Sequence, residues 1–234
     1  MIPESDVMQC EPVEGHASGL IGYLLSDLAA GLAVVVDPPC GQAELILALL
    51  AERKLQLTRV LRTHRHAADP DDCTLLFART GAELVIAEGG CAGSVAGERL
   101  RRVGNGAQLT FGAEFIHVLA TPGHTPACLS YLWRDRLFCG DVFDLGACAV
   151  GDNEADPAQL FDSITRDIFT LPDRTLVFPA HPIRGRRVVT LAELKVRCKS
   201  MLGRGRDAFI TEMAFRRLTR PALARAMGSS LPRK

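Results

Sequence analysis

Residues 62–66 read Arg-Thr-His-Arg-His and directly follow the run Thr-Arg-Val-Leu at 58–61. This pattern predicts a short strand over residues 59–63 that delivers two histidines at its end. Successive side chains of an extended segment point to opposite faces, so His64 and His66 would emerge on the same side. Two imidazoles placed in this way can bind one metal ion, but one packed and one solvated histidine would show the same spacing. The rest of the chain has to decide between these interpretations.

Composition favours a single large domain over residues 1–234, with residues 1–9 and 228–234 expected to be flexible. Hydrophobic residues make up 47% of the chain and charged residues 23%, which allows a sizeable core. The 27 basic and 27 acidic residues cancel, so bulk charge gives no reason to expect nucleic acid or an anionic membrane as a partner. No membrane span or signal peptide is predicted. The 8 cysteines form no Cys-x-x-Cys pair, and we expect a reducing, cytoplasmic location with free thiols.

Apolar runs and turn residues predict two groups of strands, each followed by helices. The strands are predicted at 18–25, 32–36, 59–63, 82–87, 99–103, 108–111, 114–120, 129–133, 136–139 and 175–178. Helices are predicted at 42–54, from 71 or 72 to 80, at 156–169 and at 190–201, with an amphipathic stretch at 206–218. Two sheets packed face to face, with the helices outside, would account for this order.

Three further stretches place a metal-binding type of side chain at the end of a predicted strand. Residues 120–126 read Ala-Thr-Pro-Gly-His-Thr-Pro and hold His124 in a tight turn; residues 137–141 end in Gly-Asp at Asp141; residues 176–181 end in Pro-Ala-His at His181. Each histidine or aspartate has an ordinary explanation alone, such as a turn or a cap. Core packing seldom uses histidine, so the joint pattern favours a metal site.

These motifs, in this order, resemble the metallo-β-lactamase superfamily, and within it the branch of glyoxalase II and the persulfide dioxygenases. The resemblance covers residues 10–200 and implies an α/β (α+β) fold, an αββα four-layer sandwich with the metal at one edge. Persulfide dioxygenases are similar to this chain in needing one iron, which the resemblance assigns to His64, His124 and Asp141. Two histidines and one carboxylate are typical of a non-haem Fe(II) site. His66 and His181 would then be hydrogen-bonding or catalytic neighbours.

The chain departs from the family pattern at two places. The family motif continues Thr-His-x-His-x-Asp-His, whereas this sequence has Ala68 and Asp69 at the last two positions, which argues against a second metal. Asp69 remains a candidate catalytic or supporting residue. Persulfide dioxygenases also carry an arginine where this chain has Val150. The substrate-binding residues are unknown, and three arginines are candidates: Arg65, Arg184 and Arg186.

The preferred hypothesis is a dioxygenase with one Fe(II) per chain that oxidises glutathione persulfide, or a similar thiol persulfide, with O2 to sulfite. The alternative is a glyoxalase II-like zinc hydrolase of a thioester or ester, in which His64, His66 and His124 would bind the zinc beside a water. A third hypothesis is a degenerate member that binds a metal or thiol without catalysis. The partners expected are therefore small molecules, and the sequence leaves open whether the chain forms a homodimer.

Overall fold

The computed structural model of the protein describes residues 8–15, 19–66, 73–92, 99–143 and 155–215. Within these residues, twelve strands form two six-stranded sheets. The first sheet has the spatial order β1 (Met8–Glu14), β2 (Ile21–Asp27), β3 (Leu32–Val36), β4 (Gln56–Leu61), β5 (Glu83–Ala87) and β6 (Leu100–Val103). The second sheet has the order β12 (Val189–Thr190), β11 (Leu176–Pro179), β10 (Arg136–Gly140), β9 (Leu129–Trp133), β8 (Glu114–Ala120) and β7 (Gln108–Phe111).

Both sheets are mixed. In the first sheet β1, β2 and β3 pair antiparallel, and β3 to β6 run parallel. In the second sheet only the β10–β11 pair, among the strands described, runs parallel. The helical segments are α1 (Ala43–Glu52), α2 (Thr74–Thr80), α3 (Pro157–Asp162), a π-helical turn (Ser163–Asp167), a 3₁₀ turn (Ile168–Thr170), α4 (Leu191–Leu202) and α5 (206–215).

Three apolar clusters define the layers. One cluster joins inward-facing side chains of the two sheets, including Tyr23, Tyr131 and Trp133. A second packs the first sheet against α1 and α2, and a third packs the second sheet against α3, α4 and α5. Two sheets with helices on their outer faces form the αββα four-layer sandwich, which confirms the predicted fold class.

Three strand predictions differ from the structure, and one difference is the two-residue strand β12, which was not predicted because Thr190 was assigned to the following helix. Strand β1 was not predicted, because Pro12 and three glutamates or glutamines make Met8–Glu14 look unlike a strand. Pro12 is tolerated there because β1 is an edge strand. The prediction for residues 59–63 was wrong in its end, since β4 stops at Leu61. The side chain of Asp37 replaces the next ladder partner and accepts a hydrogen bond from the Thr63 amide at 2.8 Å.

The stretch predicted to be amphipathic is helical over its described residues, 206–215. Phe209 and Met213 are 0% and 1% exposed and pack into the cluster on the outer face of the second sheet. Because these residues are one turn apart, they line one face of α5. Residues 1–7, 216–218 and 228–234 lie outside the described residues, while residues 8 and 9 begin β1. No helix in the described part of the chain is both long and apolar enough to span a membrane.

Candidate metal centre

The five side chains singled out at strand ends meet at one edge of the sandwich. His64 and His66 follow β4, His124 follows β8, and Asp141 directly follows β10. His181 follows β11, which runs parallel to β10, so these two strands end side by side. The structure therefore brings together residues that are up to 117 positions apart, from 64 to 181. His64 and Asp141 are each 6% exposed, so the site is nearly closed to solvent on this side.

The carboxylate of Asp141 lies at the centre of the group. Its Oδ2 atom is 3.3 Å from His64 Nε2, 3.6 Å from His66 Nδ1 and 3.7 Å from His124 Nε2. Its Oδ1 atom is 2.8 Å from His181 Nδ1, within hydrogen-bonding distance. One carboxylate oxygen thus faces three imidazole nitrogens, while the other is held by a fourth.

These residues fit a divalent metal ion. Ligand atoms that share an ion at about 2.1 Å and subtend about 90–110° lie about 3.0–3.5 Å apart, close to the separations observed around Asp141. One donor atom each from His64, His66 and Asp141 lies within 4.8 Å of the others. Both ring nitrogens of His66 are buried without a hydrogen-bond partner among the described residues. Buried polar atoms are rarely left without partners, so these nitrogens indicate that an ion or small molecule binds beside them.

The charges around the site favour a cation. Burial opposes ionisation of Asp141, but the imidazoles of His181, His64 and His66 outweigh it and hold the pKa of this carboxyl well below its usual range. Burial likewise opposes ionisation of Asp37, yet His66 lowers the pKa of that carboxyl. Burial would lower the pKa of His66, whereas the carboxylates of Asp141 and Asp37 raise it to about 10. In the metal-free protein a proton on His66 therefore balances part of the buried negative charge.

Asp37 supports the first histidine through Thr63. Asp37 Oδ2 accepts a hydrogen bond from Thr63 Oγ1 at 2.6 Å, and Thr63 Oγ1 lies 3.1 Å from His64 Nδ1. A hydroxyl has one hydrogen, which is given to Asp37, so Thr63 Oγ1 accepts from His64 Nδ1–H. This leaves the lone pair of His64 Nε2 directed at the centre, the tautomer that a metal ligand requires. Asp37 directly follows the strand predicted at 32–36, and it was not among the predicted site residues.

Gly140 has to be glycine for this arrangement to fit. Its φ is +57°, and a Cβ there would lie 2.5 Å from Thr63 Oγ1 and 3.3 Å from His64 Nδ1. Its carbonyl also accepts the Ala180 amide at 3.0 Å, which ties the end of β10 to the segment before His181. The backbone of β10 therefore approaches Thr63 and His64 closely at this glycine.

The loop that carries His124 is held by the helical layer. Gly123 has φ +136°, and a Cβ there would lie 2.4 Å from the backbone of Leu160 in α3. Its carbonyl accepts the Asp156 amide at 2.9 Å. Ser163, in the π-helical turn, donates its hydroxyl to the Pro122 carbonyl at 2.7 Å. Irregular helical turns are frequent at functional sites, and here the turn places Ser163 under the loop.

The three candidate arginines are all exposed. Arg186 Nη1 bonds Glu193 Oε1 at 2.8 Å, at the beginning of α4. Arg184 occupies a left-handed position, with φ +51°, in the tight turn after His181, and its side chain is exposed. Arg65 is exposed between His64 and His66. Residues 68, 69 and 150 lie outside the described residues.

The chain is similar to two groups of known proteins. No family model matches it. It is 32% identical over 175 residues to the mitochondrial persulfide dioxygenase ETHE1 of Mus musculus, covering 73% of this chain and 67% of that protein. It is also 32% identical over 228 residues to a hydroxyacylglutathione hydrolase of Methylobacterium sp. (strain 4-46), covering 89% of this chain and 87% of that protein.

The crystal structure of ETHE1 from Myxococcus xanthus superposes with a TM-score of 0.78 at 33% identity, over 97% of this chain and 93% of that one. The chain belongs to the persulfide dioxygenase and glyoxalase II-like branch of the metallo-β-lactamase superfamily. A metallo-β-lactamase from Staphylococcus aureus, at 22% identity, shares the fold with a TM-score of 0.76 over 90% of this chain and 67% of that one. Membership in this branch makes the chain an enzyme of a metal-binding fold that includes dioxygenases and hydrolases.

Proposed function

We propose that the protein is a mononuclear non-haem Fe(II) enzyme that oxidises glutathione persulfide, or a similar small thiol persulfide, with O2. The observation that carries this proposal is the arrangement of His64 Nε2 and His124 Nε2 around one oxygen of Asp141, at 3.3 and 3.7 Å. Two histidines and one carboxylate leave open positions for two further reactants on iron. The relatives named persulfide dioxygenase support the same choice of chemistry.

A single metal is favoured over two. The sequence has alanine at position 68, which supplies no ligand atom where the family motif has an aspartate. His181 is engaged with the other oxygen of Asp141, at 2.8 Å, and so orients that carboxylate. His66 lies 3.6 Å from both Asp141 Oδ2 and Asp37 Oδ2 and would hold a proton or a hydrogen bond beside the reacting group. Supporting contacts of this kind commonly tune a metal site.

The proposed reaction transfers both oxygen atoms of O2 to the terminal sulfur of the persulfide. Water then releases that sulfur as sulfite, with two protons, and leaves the free thiol. Bound iron would supply the one-electron chemistry that O2 requires. The residues of the chain hold the ion, keep His64 in the correct tautomer and orient Asp141. Arg65 and Arg184 remain our candidates for binding the carboxylates of a glutathione-type thiol, because both side chains are exposed.

The test combines elemental analysis with oxygen uptake. Protein purified under air-free conditions is expected to contain about one iron per chain and to consume O2 with release of sulfite when given glutathione persulfide. Asp141→Asn should lose both the iron and the uptake, whereas Asp27→Asn, a buried aspartate on the far end of β2, should keep both. The proposal would be refuted if the purified protein contained stoichiometric zinc and if the protein, once loaded with iron, took up no oxygen.

A zinc-dependent thioester hydrolase is the second candidate. His66 Nδ1 is 3.6 Å from Asp141 Oδ2, close enough for His64, His66 and His124 to act as three nitrogen ligands. Relatives named hydroxyacylglutathione hydrolase point the same way. The variant His66→Gln separates the two candidates, since it removes a ligand from a zinc site but only a neighbour from the iron site. Hydrolysis of S-lactoylglutathione that disappears with a chelator and returns with zinc would establish the hydrolase.

A further inference from the structure

The chain contains two tyrosines, and each hydroxyl crosses from one sheet to the other. Tyr131, in β9 of the second sheet, donates to the Arg62 carbonyl beyond β4 of the first sheet at 2.7 Å. Tyr23, in β2 of the first sheet, donates to the Pro179 carbonyl at the end of β11 in the second sheet, also at 2.7 Å. Arg62 lies two residues before His64. Pro179 lies two residues before His181.

A backbone amide from the same strand holds the next carbonyl in both cases. Leu129, two residues before Tyr131, donates its amide to the Thr63 carbonyl at 2.7 Å. Ile21, two residues before Tyr23, donates its amide to the Ala180 carbonyl at 2.7 Å. Each histidine is therefore preceded by two carbonyls that accept hydrogen bonds from the opposite sheet. The donors have the same identity, order and spacing at both places.

We propose that Tyr131 and Tyr23 are positioning residues, which clamp the segments that carry His64 and His181 against the opposite sheet and so fix the metal site before any metal arrives. Each clamp consists of one phenol hydroxyl and one backbone amide. The proposal rests on the metal site proposed above. It concerns residues whose hydroxyls bond backbone carbonyls.

Two further observations support the clamps. Both tyrosines are buried, at 2% and 0% exposed, and burial raises the pKa of both phenols above its usual value. The hydroxyls thus stay protonated at neutral pH and can donate their hydrogen bonds there. The Tyr23 ring also packs against Phe138 and Phe178, with ring centroids 5.2 and 5.4 Å apart. A phenylalanine would keep that packing and remove only the hydrogen bond.

The clamps also explain why a hydroxyl is placed in an otherwise apolar interface. The segments after β4 and β11 leave their sheets, so their carbonyls lose ladder partners within the sandwich. A buried carbonyl without a partner is costly, and a long rigid side chain from the facing sheet can reach it across the interface. Fixing two successive carbonyls restricts the backbone dihedral angles of the residue before each histidine. The direction in which the imidazole leaves the backbone is restricted as a result.

The experiment compares Tyr131→Phe and Tyr23→Phe with Thr58→Val in the full chain. Thr58 is a matched control, because its hydroxyl also donates to a backbone carbonyl, that of Ala33 at 3.0 Å, but near the beginning of β4. Affinity for Co²⁺ alone is measured by competition with a chelator, and the visible spectrum of the bound Co²⁺ reports ligand geometry. Unfolding by urea is measured on the metal-free proteins, so that loss of stability and loss of affinity are separated.

Tyr131→Phe is expected to weaken Co²⁺ binding about tenfold, as loss of a supporting contact commonly does, and to alter the Co²⁺ spectrum. Tyr23→Phe should give a smaller loss, because it acts through His181 and then Asp141. Thr58→Val should lower the urea midpoint and leave affinity and spectrum unchanged. Equal affinities and spectra for the wild-type protein and both tyrosine variants would overturn the clamps while leaving the metal site intact. Absence of Co²⁺ binding by the wild-type protein would instead refute the metal site.

Hydrogen exchange on the unsubstituted, metal-free protein gives an independent check if a variant does not fold. The amides of Ile21 and Leu129 should exchange only through global unfolding, since each forms part of a clamp. Exchange of these two amides through local opening, as fast as that of loop amides, would overturn the proposal.

Discussion

Replacing Asp37 with asparagine should weaken metal binding through the tautomer of His64. The variant has nearly the same shape, and asparagine tolerates the left-handed backbone at this position, where φ is +43°. The amide oxygen can still accept the Thr63 amide, but an NH2 group now faces Thr63 Oγ1. That hydroxyl then accepts from Asn, and its own hydrogen, which has lost the carboxylate acceptor, can be donated to His64 Nδ1. The tautomer of His64 with its proton on Nε2 is then favoured, and that nitrogen has no lone pair for a metal.

The expected loss is about 10- to 100-fold in metal affinity, the usual effect of removing a supporting partner. This corresponds to about 1.4–2.7 kcal/mol at about 1.4 kcal/mol per tenfold change. The folded state should lose only about 1–2 kcal/mol of stability, because one hydrogen bond changes from charged to neutral and both partners remain paired. Affinity is measured by chelator competition, and nitrogen NMR shifts of His64 in the metal-free protein identify its tautomer.

Asp27→Asn is the matched control for this substitution. Asp27 is 2% exposed and its Oδ1 accepts the Ala30 amide at 2.9 Å, so burial and bonding resemble those of Asp37. It lies at the opposite end of β2 from Ile21, about 20 Å along the strand at 3.3–3.4 Å per residue. The control should lose stability but no metal affinity. Unchanged metal affinity in Asp37→Asn, with His64 still protonated on Nδ1, would refute the reasoning.

Three other outcomes are expected. Gly123→Ala should lower the free energy of unfolding by about 3 kcal/mol or more, because a Cβ would meet Leu160 at 2.4 Å in a backbone conformation that favours glycine; a variant as stable as the wild type would contradict this. Arg134 holds the pKa of Glu114 below its usual value of 4.5. The ionised Glu114 therefore stabilises the fold above pH 4.5, and this contribution is lost as the pH falls further. The variant Glu114→Gln should be less stable than the wild type by about 1 kcal/mol at pH 7 and by much less at pH 3. Chelation should leave the protein folded but less stable by about 2.7 kcal/mol than protein held at 100 times the metal dissociation constant, as measured by thermal unfolding.

The ligand-type residues could be found from sequence because each stands at the end of an apolar run. A strand that ends at the edge of a sheet presents the next side chain there, so four such ends predict one cluster without further information. The sequence gives only a weak indication that Asp37 belongs to the site. An aspartate followed by two prolines ends a strand in many proteins, and its contact with Thr63 spans 26 residues. The contact depends on β3 and β4 pairing in parallel, which the sequence does not specify.

The tyrosine contacts could not be predicted either, because they depend on how distant strands are placed relative to one another. They join residues 69 and 156 positions apart, across two sheets whose relative register no local pattern encodes. The sequence also misplaced the end of β4, since an apolar run is equally compatible with a strand that continues to Thr63. A side chain from the neighbouring strand ends it instead. Local periodicity thus predicts where elements lie, whereas hydrogen bonds between side chains and distant carbonyls decide where they stop.

The site is built to persist without its metal. Two buried carboxylates would repel each other in an empty cavity, but the proton held by His66, with a pKa raised to about 10, lies between Asp37 and Asp141 and offsets that repulsion. The backbone before His64 and His181 is held from the opposite sheet, independently of any ion. A metal that binds therefore need not order the chain. The free energy of binding is then available to distinguish ions by their preferred ligands, and a carboxylate oxygen facing two or three imidazoles favours iron or zinc over magnesium or calcium.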